Sequence, residues 1–180
     1  ALVERMDVFI GQILAALREN DLTDNTLIVY TSDHGEQVGE HGLWWKQTFY
    51  EDSVKVPAIL SWPGQLPAGV RSERVISSLD LNATMLDALE CPPLPASRGR
   101  SLLPLLRGEM TAWDDVAFSE LCYDAAGAGG PFPIEGTFQR MIRRGPWKLV
   151  YYHGLPSQLF NLWEDPRETQ DRANDPACQE

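Results

Sequence analysis

One stretch, residues 28–57, constrains the fold more than any other: IVYTSDHGEQVGEHGLWWKQTFYEDSVKVP. Its opening, with Thr26 and Leu27 before it, is β-branched and almost wholly apolar. That is the composition of a strand covered on both faces, as in a parallel sheet. The run stops at Asp33 and His34 and gives way to a long polar loop. A second apolar run, VPAILSW, then ends at Pro63 and Gly64. In open α/β sheets, ligands bind beyond the carboxyl ends of the strands. An Asp there offers a hard oxygen ligand, a His offers a nitrogen ligand or a proton carrier, and Gly35 lets the backbone turn sharply away. The competing account is that Asp33 caps an Asx turn and His34 merely hydrogen-bonds.

The flanking segments predict a mixed α/β chain. Val3, Met6, Ile10, Ile13 and Leu17 recur at helical spacing, with Phe9 and Leu14 widening the stripe, so the first helix should pack one face on a core. RVISS reads as a third short strand leading into DLNATMLDALE, a helix capped by Asp80 with Leu81, Met85, Leu86 and Leu89 facing inward. CPPLPASRGR is a proline-rich connector and SLLPLL a short helix or turn. VAFSEL, FQRMIRR, WKLVYY and QLFNL then read as short strands between Gly and Pro turns, and the chain closes on a polar helical turn. The glycine-rich segment 124–136 is expected to be a mobile surface loop. The division expected is an α/β part over residues 1–104 and a small antiparallel β-rich subdomain over 105–180.

Bulk properties narrow the function classes. At 180 residues, 43% hydrophobic and 23% charged, the chain can bury a real core. A formal net charge of −11 argues against nucleic acid and anionic membrane surfaces as partners. A small anionic substrate stays possible, because a metal ion and a few cations can reverse the field in a pocket. Cys91, Cys122 and Cys178 show no zinc spacing, and their odd number leans towards a reducing, cytoplasmic compartment. There is no transmembrane run. The first residues already read as helix, so a targeting signal could lie upstream and unseen.

The longer block TSDHGEQVGEHGLWWKQTFYEDSVKVPAILSWPG resembles the strand-loop-strand block of the sulfatase family, within the alkaline-phosphatase-like superfamily. That pattern is a strand, Ser-Asp-His-Gly, Gly-Glu-His-Gly, a Lys, Tyr-Glu, Val-Pro, and a strand ending in Trp-Pro-Gly. The resemblance continues through SSLDLNATMLDALE, GRSLLPLLRGE, MIRRGPWKLVYY and LFNLWEDPRE, nearly the whole chain. It implies a mostly parallel sheet with flanking helices, followed by the antiparallel subdomain.

Carried across residue by residue, the resemblance makes Asp33 and His34 the second pair of metal ligands, for Ca²⁺ or alternatively Mn²⁺. It makes Lys46 the residue that contacts the transferred sulfate. A sulfuryl transition state gathers negative charge on its oxygens, which a metal and an ammonium stabilise together. His41 is a weaker candidate for substrate contact, and a structural role suits it as well. His153 is given no role. Trp44 and Trp45 are expected to pack onto the sheet, and Glu51 and Asp52 to support the loop.

The family nucleophile is a formylglycine made from Cys or Ser in Cys/Ser-x-Pro/Ala-x-Arg, and this chain has no such motif. Cys91 begins CPPLP, with Pro95 where the Arg belongs; Cys122 and Cys178 fit less well. The first acidic metal-ligand pair also has no counterpart. Ala83 stands where the family often has Pro, and ETQDRAND lacks the usual Asn-Leu. The chain thus reads as the carboxy-terminal portion of a sulfatase, inactive alone, whose partner is the missing amino-terminal half of the catalytic domain. Its substrate would be a small sulfate ester. The rivals are a phosphonate or phosphate ester hydrolase on the same scaffold, and a fragment that only folds or binds a partner. The leaving group is not legible.

Overall fold

The computed structural model describes residues 2–123 and 137–178; the glycine-rich segment 124–136 lies outside them. In chain order the main elements are α1 (Leu2–Glu19), β1 (Ile28–Thr31), α2 (Glu51–Val54), β2 (Ala58–Ser61), α3 (Ser78–Ala88), α4 (Leu103–Leu106), β3 (Val116–Tyr123), β4 (Thr137–Arg144), β5 (Trp147–Tyr152) and β6 (Gln158–Asn161). They form two compact units, one from Ala1–Ser32, Pro57–Ser72 and Leu79–Thr111, the other from Asp33–Val56, Glu73–Ser78 and Ala112–Glu180.

In the first unit, β1 and β2 pair antiparallel, with Ile28 opposite Ser61 and Thr31 opposite Ala58. The class is the mixed α/β expected, but all strand pairs among the described residues are antiparallel. Tyr30, expected to be covered on an inner strand, is 39% exposed. Helix α1 forms over its amphipathic run, yet none of its residues is buried among the described residues. Helical periodicity makes the stripe; burial needs a facing surface as well.

Helix α3 buries Leu81 as expected, but not the whole of the face expected. Asp80, Leu81 and Thr84 are buried, whereas Met85 and Leu89 are exposed. The reason lies in the connector that follows. The Thr84 hydroxyl donates to Asp80 O at 2.6 Å and accepts from the Leu102 amide at 2.9 Å. The Asp80 carboxylate accepts from the Arg100 amide at 2.9 Å. Asp80 therefore ties down the connector from inside the first turn of α3 and is not its cap.

The second unit carries the four-stranded antiparallel meander β3-β4-β5-β6 at the places the alternating sequence predicts. Phe49, Met141 and Val150 form its core, with Val54, Leu121 and Tyr152 packed around them. RVISS is not a strand. The Val75 amide donates instead to the Asp115 carboxylate at 3.0 Å, and the Val75 carbonyl accepts from the Trp113 indole at 2.8 Å. Side chains thus satisfy both backbone groups where a neighbouring strand would otherwise have done so. Past β6 the chain runs in turns fastened by Asp165 and Asp171, with a short 3₁₀ turn at Pro176–Cys178, and forms no α-helix among the described residues.

Candidate functional site

The polar loop of residues 33–56 is cross-braced. The Gly35 amide donates to Ser53 O at 2.8 Å, and the Gln37 amide to Trp45 O at 3.0 Å. A Cβ at Gly35 would overlap the Asp52 carbonyl, so it is close backbone approach that demands glycine here, not a turn with positive φ. Gln37, only 1% exposed, donates from its side-chain amide to Thr48 Oγ1 at 2.9 Å and to Ser53 Oγ at 2.8 Å. These bonds fold the loop back until its two halves meet.

Their meeting brings together three of the sequence candidates. Lys46 Nζ lies 2.7 Å from His34 Nε2, and Asp33 Oδ2 lies 3.4 Å from the same nitrogen. Asp33 Oδ1 accepts from the His34 amide at 3.0 Å, an Asx contact that leaves Oδ2 as the oxygen nearer the imidazole Nε2. His34 Nδ1 lies 2.8 Å from Gly35 O. A carbonyl only accepts, so Nδ1 carries the proton and Nε2 presents its lone pair to Lys46. A hard oxygen, an imidazole lone pair and an ammonium therefore converge at one exposed place. Among the described residues, no group of three or more His, Cys, Asp or Glu gathers there or elsewhere in a metal-binding arrangement.

His41 stands apart. Its ring stacks on Tyr50, centroids 3.8 Å apart and planes within 9°, with its backbone in the left-handed region at φ 54°. Trp44 and Trp45 are 68% and 69% exposed, so they do not pack onto the sheet as expected. Trp45 is held by its backbone: its amide donates to the Glu36 carboxylate and φ is 77°, which turns the indole outward. His153 lies beside Tyr151.

Beneath the loop is a group of charges that the sequence did not reveal. Lys148, on β5, is fully buried. It donates to Phe49 O at 2.7 Å and to Glu51 Oε1 at 3.1 Å, and it pairs with Glu168. Arg143 bonds the other Glu51 oxygen at 2.7 Å, and the Glu51 amide donates to Glu168 at 2.6 Å. Burial pushes the Glu168 carboxyl above its ordinary value against the pull of the Lys148 ammonium. Glu51 thus supports the loop, as expected. The available signal for Lys148 was its phase: it shares the inward alternation of Val150 and Tyr152.

The family profile described as Sulfatase matches residues 1–91. The chain belongs to the sulfatase family. This sulfatase chain is 35% identical over 173 residues to "Arylsulfatase K" of Canis lupus familiaris, covering 93% of itself and 31% of that protein. It spans about a third of the length of the curated relatives it matches. A solved complex of BT4656 with its substrate D-glucosamine-2-N,6-O-disulfate superposes with a TM-score of 0.86 at 28% identity, over 98% of this chain and 36% of that one. The phosphonate monoester hydrolase of Agrobacterium radiobacter superposes with a TM-score of 0.84 at 34% identity, over 95% of this chain and 35% of that one. No helix among the described residues is long and apolar enough to cross a membrane.

Proposed function

We propose that the full-length protein hydrolyses sulfate monoesters, with Asp33 and His34 as half of a divalent-metal site and Lys46 as the residue that grips the sulfate. The observation that carries this reading is the convergence of Lys46 on His34 from twelve residues away, at 2.7 Å. The donor set fits a metal. A carboxylate oxygen and an imidazole nitrogen, 3.4 Å apart, would together supply two ligands to a divalent ion. Ca²⁺ is the first ion to test, and the imidazole nitrogen makes Mn²⁺ the second. The remaining ligands would come from outside this chain.

When bound, the ion would act as a Lewis acid on the sulfate oxygens. Were His34 to hold the ion, the Lys46 ammonium would be released to turn to a substrate oxygen. Charge that develops there during S–O cleavage meets a point charge already in place. Asp33 keeps the pair oriented through its bond from the His34 amide. The nucleophile, a formylglycine, would also be supplied by a part of the protein outside this chain, since no Cys/Ser-x-Pro/Ala-x-Arg motif occurs in it.

The likeness to a phosphonate monoester hydrolase favours a second reading, hydrolysis of a phosphonate or phosphate ester at the same residues. Both substrates are tetrahedral anions and both suit an ammonium beside a metal. Turnover of p-nitrophenyl sulfate and p-nitrophenyl phenylphosphonate by the full-length protein separates them. Preference for the sulfate, lost in Lys46→Ala, supports the first reading. The reverse preference supports the second, and activity unchanged in Lys46→Ala overturns the role given to that lysine in both.

A further inference from the structure

We propose that Lys148 is a positioning residue: its buried ammonium holds the Phe49 carbonyl and thereby sets where Lys46, three residues earlier, presents its charge. The functional half of this inference rests on Lys46 gripping the sulfate; the structural half stands on contacts alone.

The site of Lys148 is costly for a cation. It lies on the inward face of β5 with Val150, opposite Arg143 on one side and Phe160 on the other, and is 0% exposed. An unbranched apolar side chain of similar length would pack there without the cost of stripping water from an ammonium, and buried ion pairs are often no more stable than such replacements. Something other than bulk stability therefore accounts for the charge.

The bonds indicate what that is. The ammonium donates hydrogen bonds to Phe49 O and Glu51 Oε1 and forms an ion pair with Glu168, so three oxygens surround its charge. Two of those oxygens belong to the loop that carries Lys46. The third belongs to the segment after β6, and Lys148 itself to the sheet. One side chain thus pins the loop to two other parts of its unit. Arg143 completes a balanced set of two cations and two carboxylates by holding the far oxygen of Glu51. An apolar side chain could fill the space but could not fix the carbonyl.

From Phe49 the restraint has a short path. Thr48 is held by the Gln37 amide at 2.9 Å, and the Trp45 carbonyl by the Gln37 backbone at 3.0 Å. Lys46 and Gln47 lie between those two anchors. The Lys46 side chain is exposed, so its reach towards His34 depends on where these anchors place its backbone.

Hydrogen exchange on the full-length protein tests the structural half. Lys148→Met should speed exchange over residues 43–50 by about tenfold or more while β3–β6 keep their protection, because local opening is separable from global unfolding. Should that variant fail to fold, Lys148→Met with Glu168→Gln keeps the buried charge balanced through Arg143 and Glu51, yet still frees the Phe49 carbonyl. A double-mutant cycle tests the functional half: the loss of kcat/KM caused by the Lys148 change should largely disappear in a Lys46→Ala background. Unchanged loop exchange, or loop and sheet exchange rising together, overturns the proposal, as do losses that multiply independently. If Lys46→Ala alone leaves turnover intact, it is the sulfate-gripping reading that fails, and the exchange result still decides whether Lys148 orders the loop.

Discussion

The Gly35 amide donates to the Ser53 carbonyl at 2.8 Å, closing the polar loop one residue past His34. The approach leaves no room at Gly35 for a side chain, because a Cβ would overlap the Asp52 carbonyl. Gly35→Ala must push the two chain segments apart. Overpacking of this kind costs about 1–3 kcal/mol. Thermal denaturation should show that loss, and turnover by the full-length protein should fall further than stability alone explains, since Asp33, His34 and Lys46 are brought together by the same closure. Wild-type stability in Gly35→Ala would mean the loop yields freely there.

Lys46 and Asp33 should fail in different ways. Lys46→Ala should lower kcat/KM by about 10²- to 10³-fold, the range for losing one preorganised charge contact. Stability should barely change, because the side chain is exposed. Lys46→Arg should rescue poorly, since a planar fork does not replace a compact point charge. Asp33→Ala should weaken metal binding, so added metal restores part of its activity and none of that lost in Lys46→Ala. Calorimetric titration with Ca²⁺ and Mn²⁺, alongside kinetics, distinguishes the two.

Thr84 is completely buried and its hydroxyl accepts from the Leu102 amide. Thr84→Val keeps the shape and strands that amide, at a cost of about 1–3 kcal/mol. Thr84→Ser keeps the hydroxyl and should lose less. Denaturant unfolding of both variants checks the order, and a larger loss in Thr84→Ser than in Thr84→Val would show that the methyl group matters more than the bond.

The Tyr152 phenol is pushed up to about 12 by burial and, beyond that, by nearby Tyr50, Glu168 and Asp171. An acid whose pKa is higher folded than unfolded contributes stability that is complete below its unfolded value, about 10, and is lost as pH rises through the folded value. Unfolding midpoints should therefore fall across that alkaline window, and phenolate absorbance should show one tyrosine ionising well after the exposed ones. Tyr152→Phe should remove that late step while also losing the bond to Gln158. A single titration step for all tyrosines would contradict the burial seen here.

The isolated chain should hydrolyse neither aryl sulfates nor phosphate esters above a heat-denatured control. It carries no formylglycine motif, and covalent catalysis cannot proceed without its nucleophile. Robust turnover abolished by one substitution within these residues would reveal a nucleophile that the sequence does not advertise.

Much of the architecture could be read from the chain itself. Strands β3 to β6 lie where alternating apolar residues and Gly or Pro breaks put them, because such a pattern can bury only one face of a pleated strand. Asp33, His34 and Lys46 stood out as candidates by residue type and by family pattern, and the folded loop brings the three side chains together. What the sequence could not decide was environment. Val75 looks like a strand residue, yet the Asp115 carboxylate and the Trp113 indole take its backbone bonds. Helix α3 turns Thr84 inward and leaves Met85 exposed, because the connector offers an amide that the Thr84 hydroxyl meets and an apolar side chain could not. Lys148 reads as a polar interruption in an apolar strand, and only the fold brings Phe49, Glu51 and Glu168 around it from distant positions in the chain. Periodicity is a local property, written in neighbouring residues. Whether a buried polar group is satisfied depends on partners far along the chain, and only the tertiary structure supplies those.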